Sequence, residues 1–194
     1  MSQAPEPLPP AMGLPALIPV RKSELGLAAL SGLLLALSFP GVDLGFLAWV
    51  ALVPLLAVAF KPRHRRGMMA IFASFGMGFY GVLLYWFFAM HPLTWLGFTE
   101  TASMGIVTLA WGLATGALIV QLLIFGLIMG WLTQAWEKPG PLHVLAFAAG
   151  WTTLEWLTSL GTFGFTWGNL ALSQVGFLPV IQVLDLVGPF PLAG

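Results

Sequence analysis

The apolar residues of this chain fall in long blocks, not in the spaced stripes of helices that pack in water. Only 7% of its 194 residues are charged and 59% are hydrophobic. Soluble domains run near 25% charged. So few charges cannot cover the surface of a water-soluble fold of this length. The chain is therefore read as an all-α integral membrane protein.

A helix needs about 20 residues, with roughly 17 to 25 tolerated, to cross a ~30 Å hydrocarbon core. Five stretches qualify: 23–39, closed by Pro40-Gly41; 42–60, with Asp43 at its mouth and Pro54 inside; 67–90; 105–134, longer than a span requires; and 142–160. A sixth begins near Leu178. The expected fold is a polytopic helical bundle of five complete spans plus the start of a sixth. Residues 1–22 form a mobile proline-rich tail, without the basic start and cleavage site of a signal peptide. Residues 23–194 form the membrane domain.

The chain has 7 lysines and arginines. Arg21 and Lys22 precede the first span, Lys61, Arg63, Arg65 and Arg66 follow the second, and Lys138 separates the fourth from the fifth. Counting spans puts all of them on one side, which the positive-inside rule makes cytoplasmic. The N-terminus is then cytoplasmic, and the loops 91–104 and 161–177 face outward. Net charge is zero, so no global field draws in nucleic acid. Small residues at four-residue spacing mark possible helix contacts. They are Ala70, Ser74 and Gly78 on the third span, then Gly112 with Gly116 and Gly126 with Gly130 on the fourth. No internal repeat of the kind found in many transporters occurs.

One of the few carboxylates, Glu155, lies about 8 Å below the outer end of the fifth span, given a ~1.5 Å rise per residue. It either orients a substrate headgroup or braces a loop, or it is a helix-end acid bonded to hydroxyls such as Thr152 or Ser159. The residues favour the structural role, because no cation lies nearby in sequence. An ion-coupling role is opposed by its position near the surface and the lack of a broken-helix pair around it. Asp43 and Asp185, at helix mouths, are read as caps. Trp86, Trp95, Trp156 and Trp167 fall near the outer boundary, where an aromatic belt is expected whatever the function. Trp167 stands apart because it lies in a glycine-rich loop. His64, His91 and His143 share no metal-ligand spacing and no cysteine joins them, so no metal is expected. Ser173, next to Gln174, has no histidine in a recognisable arrangement. The GxSxG, Walker and Rossmann patterns are absent.

Three landmarks in order resemble the apolipoprotein N-acyltransferases. Ser38-Phe39-Pro40 closes the first apolar helix. GMGFYGVLLYW, Gly76 to Trp86, is a glycine-rich span ending in an aromatic pair. Glu155-Trp156-Leu157, Gly164-Phe165, Trp167 and Ser173-Gln174 resemble the family stretch EWLRS, GFPW and GYSQ at the same spacings. The likeness runs from about residue 24 onward.

The resemblance implies an enzyme of the bacterial inner membrane. Such enzymes move an acyl chain from a phospholipid to the α-amino group of a lipoprotein's diacylglyceryl-cysteine. Their chemistry belongs to a periplasmic nitrilase-like domain with a glutamate base, a lysine and a cysteine nucleophile that carries the acyl group as a thioester. No cofactor or metal is implied. The implied partners are the phospholipid donor, the diacylated lipoprotein acceptor and the bilayer, not nucleic acid. The catalytic domain follows the early helices in the family and is not expected in residues 1–194. With no cysteine in the sequence, no catalytic residue carries over, and the chain alone is expected to be inactive. Trp167 matches a loop tryptophan near the family's active-site mouth. Trp86, Glu155, Trp156, Ser173 and Gln174 are the other expected substrate or lipid contacts. Thr158 stands where the family has arginine, Thr166 where it has proline, and Leu172 where it has tyrosine. A stand-alone, non-enzymatic lipid-binding module or scaffold of the same ancestry is the alternative.

Overall fold

A computed structural model describes residues 17–135, 140–160, 164, 166–182 and 188. Every regular element among them is helical. The proline-rich start, Lys138, Asp185 and most of the sixth apolar stretch lie outside the described residues.

The first helix, α1 (Lys22–Leu37), is built from leucine and alanine, both strong helix formers. It ends before Pro40, and Gly41 turns the chain at φ +110°. Two helices are long and apolar enough to cross a bilayer. One is α4 (Arg65–Leu83), continued by a 3-10 helix to Met90. The other is α5 (Glu100–Ala135), whose 36 residues extend past both ends of the expected span. With 16 residues, α1 falls just short of the usual spanning length. The fifth stretch forms α6 (Pro141–Ser159), and a short α7 (Leu178–Ile181) begins the sixth.

The second stretch is not one helix. A 3-10 turn, Gly45–Leu47, leads into α2 (Ala48–Ala51), and after a break at Leu52 the chain resumes as α3 (Val53–Ala59). Pro54 explains the break, since it has no N–H to give Val50 and opens a new helix instead. The hydroxyl of Ser31 on α1 donates to the Ala51 carbonyl at the break. A neighbouring helix thus supplies a partner where backbone geometry is irregular, as apolar surroundings demand. Asp43 does not cap this turn. It sits at φ +62°, and Leu44 is the capping position, without a side-chain bond.

In an apolar solvent helices are held by close packing and hydrogen bonds between them. The tightest contact is α1 against α4. A Cβ on Gly32 would lie 2.1 Å from the Phe75 carbonyl oxygen, and one on Gly78 would lie 2.2 Å from that of Ala29. Ser74 Oγ donates to Leu25 O at 2.8 Å in the same crossing. Of the small residues read from the sequence, Gly78 and Ser74 are in this contact, whereas Ala70 is exposed. Gly126 and Gly130 let α5 approach Phe72 and Met68 of α4. Gly112 and Gly116 meet nothing within 4 Å. Phe75, Phe125, Phe147 and Trp151 join α4, α5 and α6 through ring contacts of 5.4–6.3 Å.

The described cations gather at one end of the bundle. Arg63 is wholly buried there, donating to Glu24 Oε1 (2.6 Å), Val58 O (3.2 Å) and Pro19 O (3.1 Å). Lys61 Nζ shares the same carboxylate oxygen at 2.9 Å. Gln134 Nε2, at the far end of α5, donates to Arg63 O at 2.7 Å. A buried charge is tolerable when paired and hydrogen-bonded, and Arg63 meets both conditions. This knot holds the start of α1, the start of α4 and the end of α5 together.

Candidate functional site

At the end opposite the cations, the loop after α6 is fastened to the bundle at two points. The first is Glu155, on the last turns of α6. Its Oε1 accepts from the indole N–H of Trp151 (2.8 Å), one turn earlier on the helix, and from the backbone N–H of Leu170 (3.0 Å). Its Oε2 accepts from Asn169 Nδ2 (2.9 Å). The expected hydroxyl partners are not used. Ser159 donates to Trp156 O on its own helix, and Thr152 is not among the donors to the Glu155 carboxylate. Among the described residues no cation approaches the acid, and three neutral donors take the place of an arginine. Glu155 therefore braces the loop, through one donor on its own helix and two on the loop, and not as a helix-end acid bonded to hydroxyls.

Asn169 carries the connection onward. Its Oδ1 accepts from Ala171 N at 3.0 Å and caps the 3-10 helix Leu170–Gln174. The second fastening lies at the end of that helix. Gln174 Nε2 donates to Gly45 O and to Ser173 Oγ, both at 3.0 Å, and Gln174 Oε1 accepts from Trp49 Nε1 at 3.2 Å. Ser173 Oγ donates in turn to Leu170 O at 2.7 Å. A Cβ on Gly45 would stand 2.7 Å from Ser173 O, so only glycine permits this approach. Ser173 and Gln174 thus fix the loop.

Between the two fastenings the chain turns at Gly168 (φ +103°) and presents Trp167. Its ring centroid is 5.2 Å from that of Trp86, in α4's 3-10 extension. Trp167 is half-exposed, and the pair walls a groove of about 440 Å³ lined by Phe39, Pro40, Leu83, Tyr85, Thr166 and Leu172. That lining is apolar apart from the Tyr85 and Thr166 hydroxyls. Trp156 is half-exposed on α6 and is not among the lining residues, and Trp95 is exposed elsewhere. The histidines lie apart from the groove. His91 Nδ1 is 2.9 Å from Ser103 Oγ, and His143 is buried beside Phe60.

Sequence reasoning passed over three contributors. Asn169 was legible as a cap, since an asparagine opens the segment it caps. Trp49 and Gly45 were not, because they meet Gln174 across 125 and 129 residues of chain.

The described residues form an all-helical architecture with a loop pinned over an aromatic groove. The model of the apolipoprotein N-acyltransferase N-terminal domain matches residues 31–193. Proteins named apolipoprotein N-acyltransferase match as well. The one from Gloeobacter violaceus is 36% identical over 90% of this chain, and the one from Geobacter metallireducens is 29% identical over 86%. A third, from Thermotoga maritima, is 30% identical over 85%. The chain belongs to the family of the apolipoprotein N-acyltransferase N-terminal domain. It spans about a third of the length of these curated relatives, at 33%, 30% and 32%.

Proposed function

We propose that residues 23–194 are the N-terminal transmembrane part of an apolipoprotein N-acyltransferase, preceded by a cytoplasmic tail of residues 1–22. The whole enzyme moves an acyl chain from a phospholipid to the α-amino group of a diacylated lipoprotein's terminal cysteine. In this reading the bundle sits in the bacterial inner membrane with its N-terminus in the cytoplasm. It crosses five times, through α1, residues 42–60, α4 with its extension, α5 and α6, and starts a sixth crossing at α7. Confinement of the described cations to one end supports that orientation.

The groove between Trp86 and Trp167 is the observation that carries the functional reading. Its volume falls within the ~300–1,000 Å³ of ordinary ligand sites, and its walls suit the hydrocarbon of an acyl donor. Trp167 and Trp86 contact the chain, while Glu155, Ser173 and Gln174 hold the loop that carries Trp167. Trp156 lies outside the groove and touches bilayer lipid. A phospholipid with a photoreactive group on its acyl chain tests this in membranes. Cross-linking is expected to map to segments 83–86 and 166–172 and to drop several-fold in Trp86→Ala/Trp167→Ala. Labelling spread evenly along the exposed helices would refute the groove.

The chemistry of transfer needs a thioester-forming cysteine, and the sequence has none. Residues 1–194 alone are therefore expected to leave a diacylated lipoprotein unmodified in phospholipid membranes. A gain of one acyl mass on the lipoprotein would contradict this. The same missing cysteine favours a second reading, a lipid-binding module that performs no transfer. The reading frame downstream of Gly194 separates the two: a following domain with a cysteine supports the enzyme, and a stop codon supports the module.

A further inference from the structure

The cation-rich end of the bundle contains two kinds of cation. Lys61 and Arg63 converge on Glu24, and these are the only ion pairs among the described residues. Arg65 and Arg66, a few residues further on, form no ion pair among the described residues. With His64 and Gln134 they line a shallow recess of about 690 Å³ between the start of α4 and the end of α5. No carboxylate is among the described lining residues. Gln134 is held by its bond to Arg63 O, so the wall facing the two arginines is fixed in place. Arg63, whose carbonyl anchors that wall, is immobilised by its own three bonds.

We propose that His64, Arg65, Arg66 and Gln134 bind the phosphate of an anionic phospholipid in the leaflet at this end of the bundle. Guanidinium groups recognise tetrahedral oxyanions through paired N–H donors. Arg65 and Arg66 at the opening of a helix also repel its positive end, and an anion relieves that repulsion. The recess lies where the two longest apolar helices leave the hydrocarbon, at the level of lipid phosphates. That position favours a lipid over a free phosphate. The inference rests on α4 and α5 crossing a bilayer and not on acyl transfer, because the site is at the opposite end from the aromatic groove.

The test uses the full chain in nanodiscs of phosphatidylcholine containing a minor fraction of phosphatidylglycerol, with retained lipid counted by native mass spectrometry. Preferential retention of phosphatidylglycerol is expected, falling roughly fivefold for each arginine removed in Arg65→Gln and Arg66→Gln. Arg65→Lys/Arg66→Lys should keep part of it, since charge persists without the fork. Lys22→Gln, a cation at the same end but outside the recess, should change little. Should the double glutamine variant unfold, the two single variants give the answer. An equal fall in Lys22→Gln would overturn the site in favour of a diffuse charged surface. Complete displacement by inorganic phosphate would overturn the lipid assignment. Equal retention in all variants would overturn the proposal outright.

Discussion

Replacing Glu155 by leucine is expected to lower unfolding stability by about 3–4 kcal/mol. The substitution leaves Trp151 Nε1, Asn169 Nδ2 and Leu170 N without their common acceptor. Each buried donor left unmatched costs roughly 1–3 kcal/mol, and water reaching the loop softens the sum. Glu155→Gln keeps one acceptor oxygen and should lose only about 1–2 kcal/mol. Unfolding in detergent, followed by tryptophan fluorescence, measures the difference. Hydrogen exchange adds the location: the Leu170 and Ala171 amides should lose protection in Glu155→Leu while α4 keeps its own. Unchanged exchange in the loop would show that the acid does not hold it.

The second large effect is expected at the crossing of α1 and α4. In Gly32→Ala the new methyl would fall 2.1 Å from a backbone oxygen, which no rotamer change relieves. The helices must separate, and overpacking of this kind costs about 1–3 kcal/mol, with the upper end expected because backbone has to move. The Ser74 bond to Leu25 O would be lost with it. Gly26→Ala on the same helix is the control. Nothing lies within 4 Å of its Cβ position, so helix propensity alone should stabilise it by about 0.5–1 kcal/mol. Equal behaviour of the two variants would mean that the helices are not in this contact.

These two sites show what the residues reveal by themselves and what they do not. The long apolar blocks announce α4 and α5 directly, since uninterrupted hydrophobic length is a local property. Residues 42–60 carry the same composition, but Pro54 divides them, and the helix that supplies the Ala51 carbonyl with a partner lies twenty residues earlier. Hydropathy does not register such a break. At Glu155 one donor, Trp151, sits at helical spacing and is readable, whereas the other two arrive only because the loop folds back. Thr158, standing where the resemblance calls for arginine, correctly points to neutral donors but not to Asn169. Likewise Trp86 and Trp167 read as members of an interfacial belt. Their pairing depends on the turn at Gly168 and on both fastenings of the loop.

The length of α5 has a consequence for the outer surface. At ~1.5 Å per residue its 36 residues measure about 54 Å. Even a steep tilt of about 40° leaves a height of about 41 Å against a ~30 Å hydrocarbon layer. Gln134 ties its last turn to the cation-bearing knot, so in the topology proposed above the surplus emerges at the other end. On that reading the first turns of α5, beginning at Glu100, stand clear of the lipid as a short mast. Ser103, on that stem, accepts a bond from Leu93 N and pairs with His91, so the segment before α5 is moored to the stem and, in the proposed topology, is held off the lipid with it.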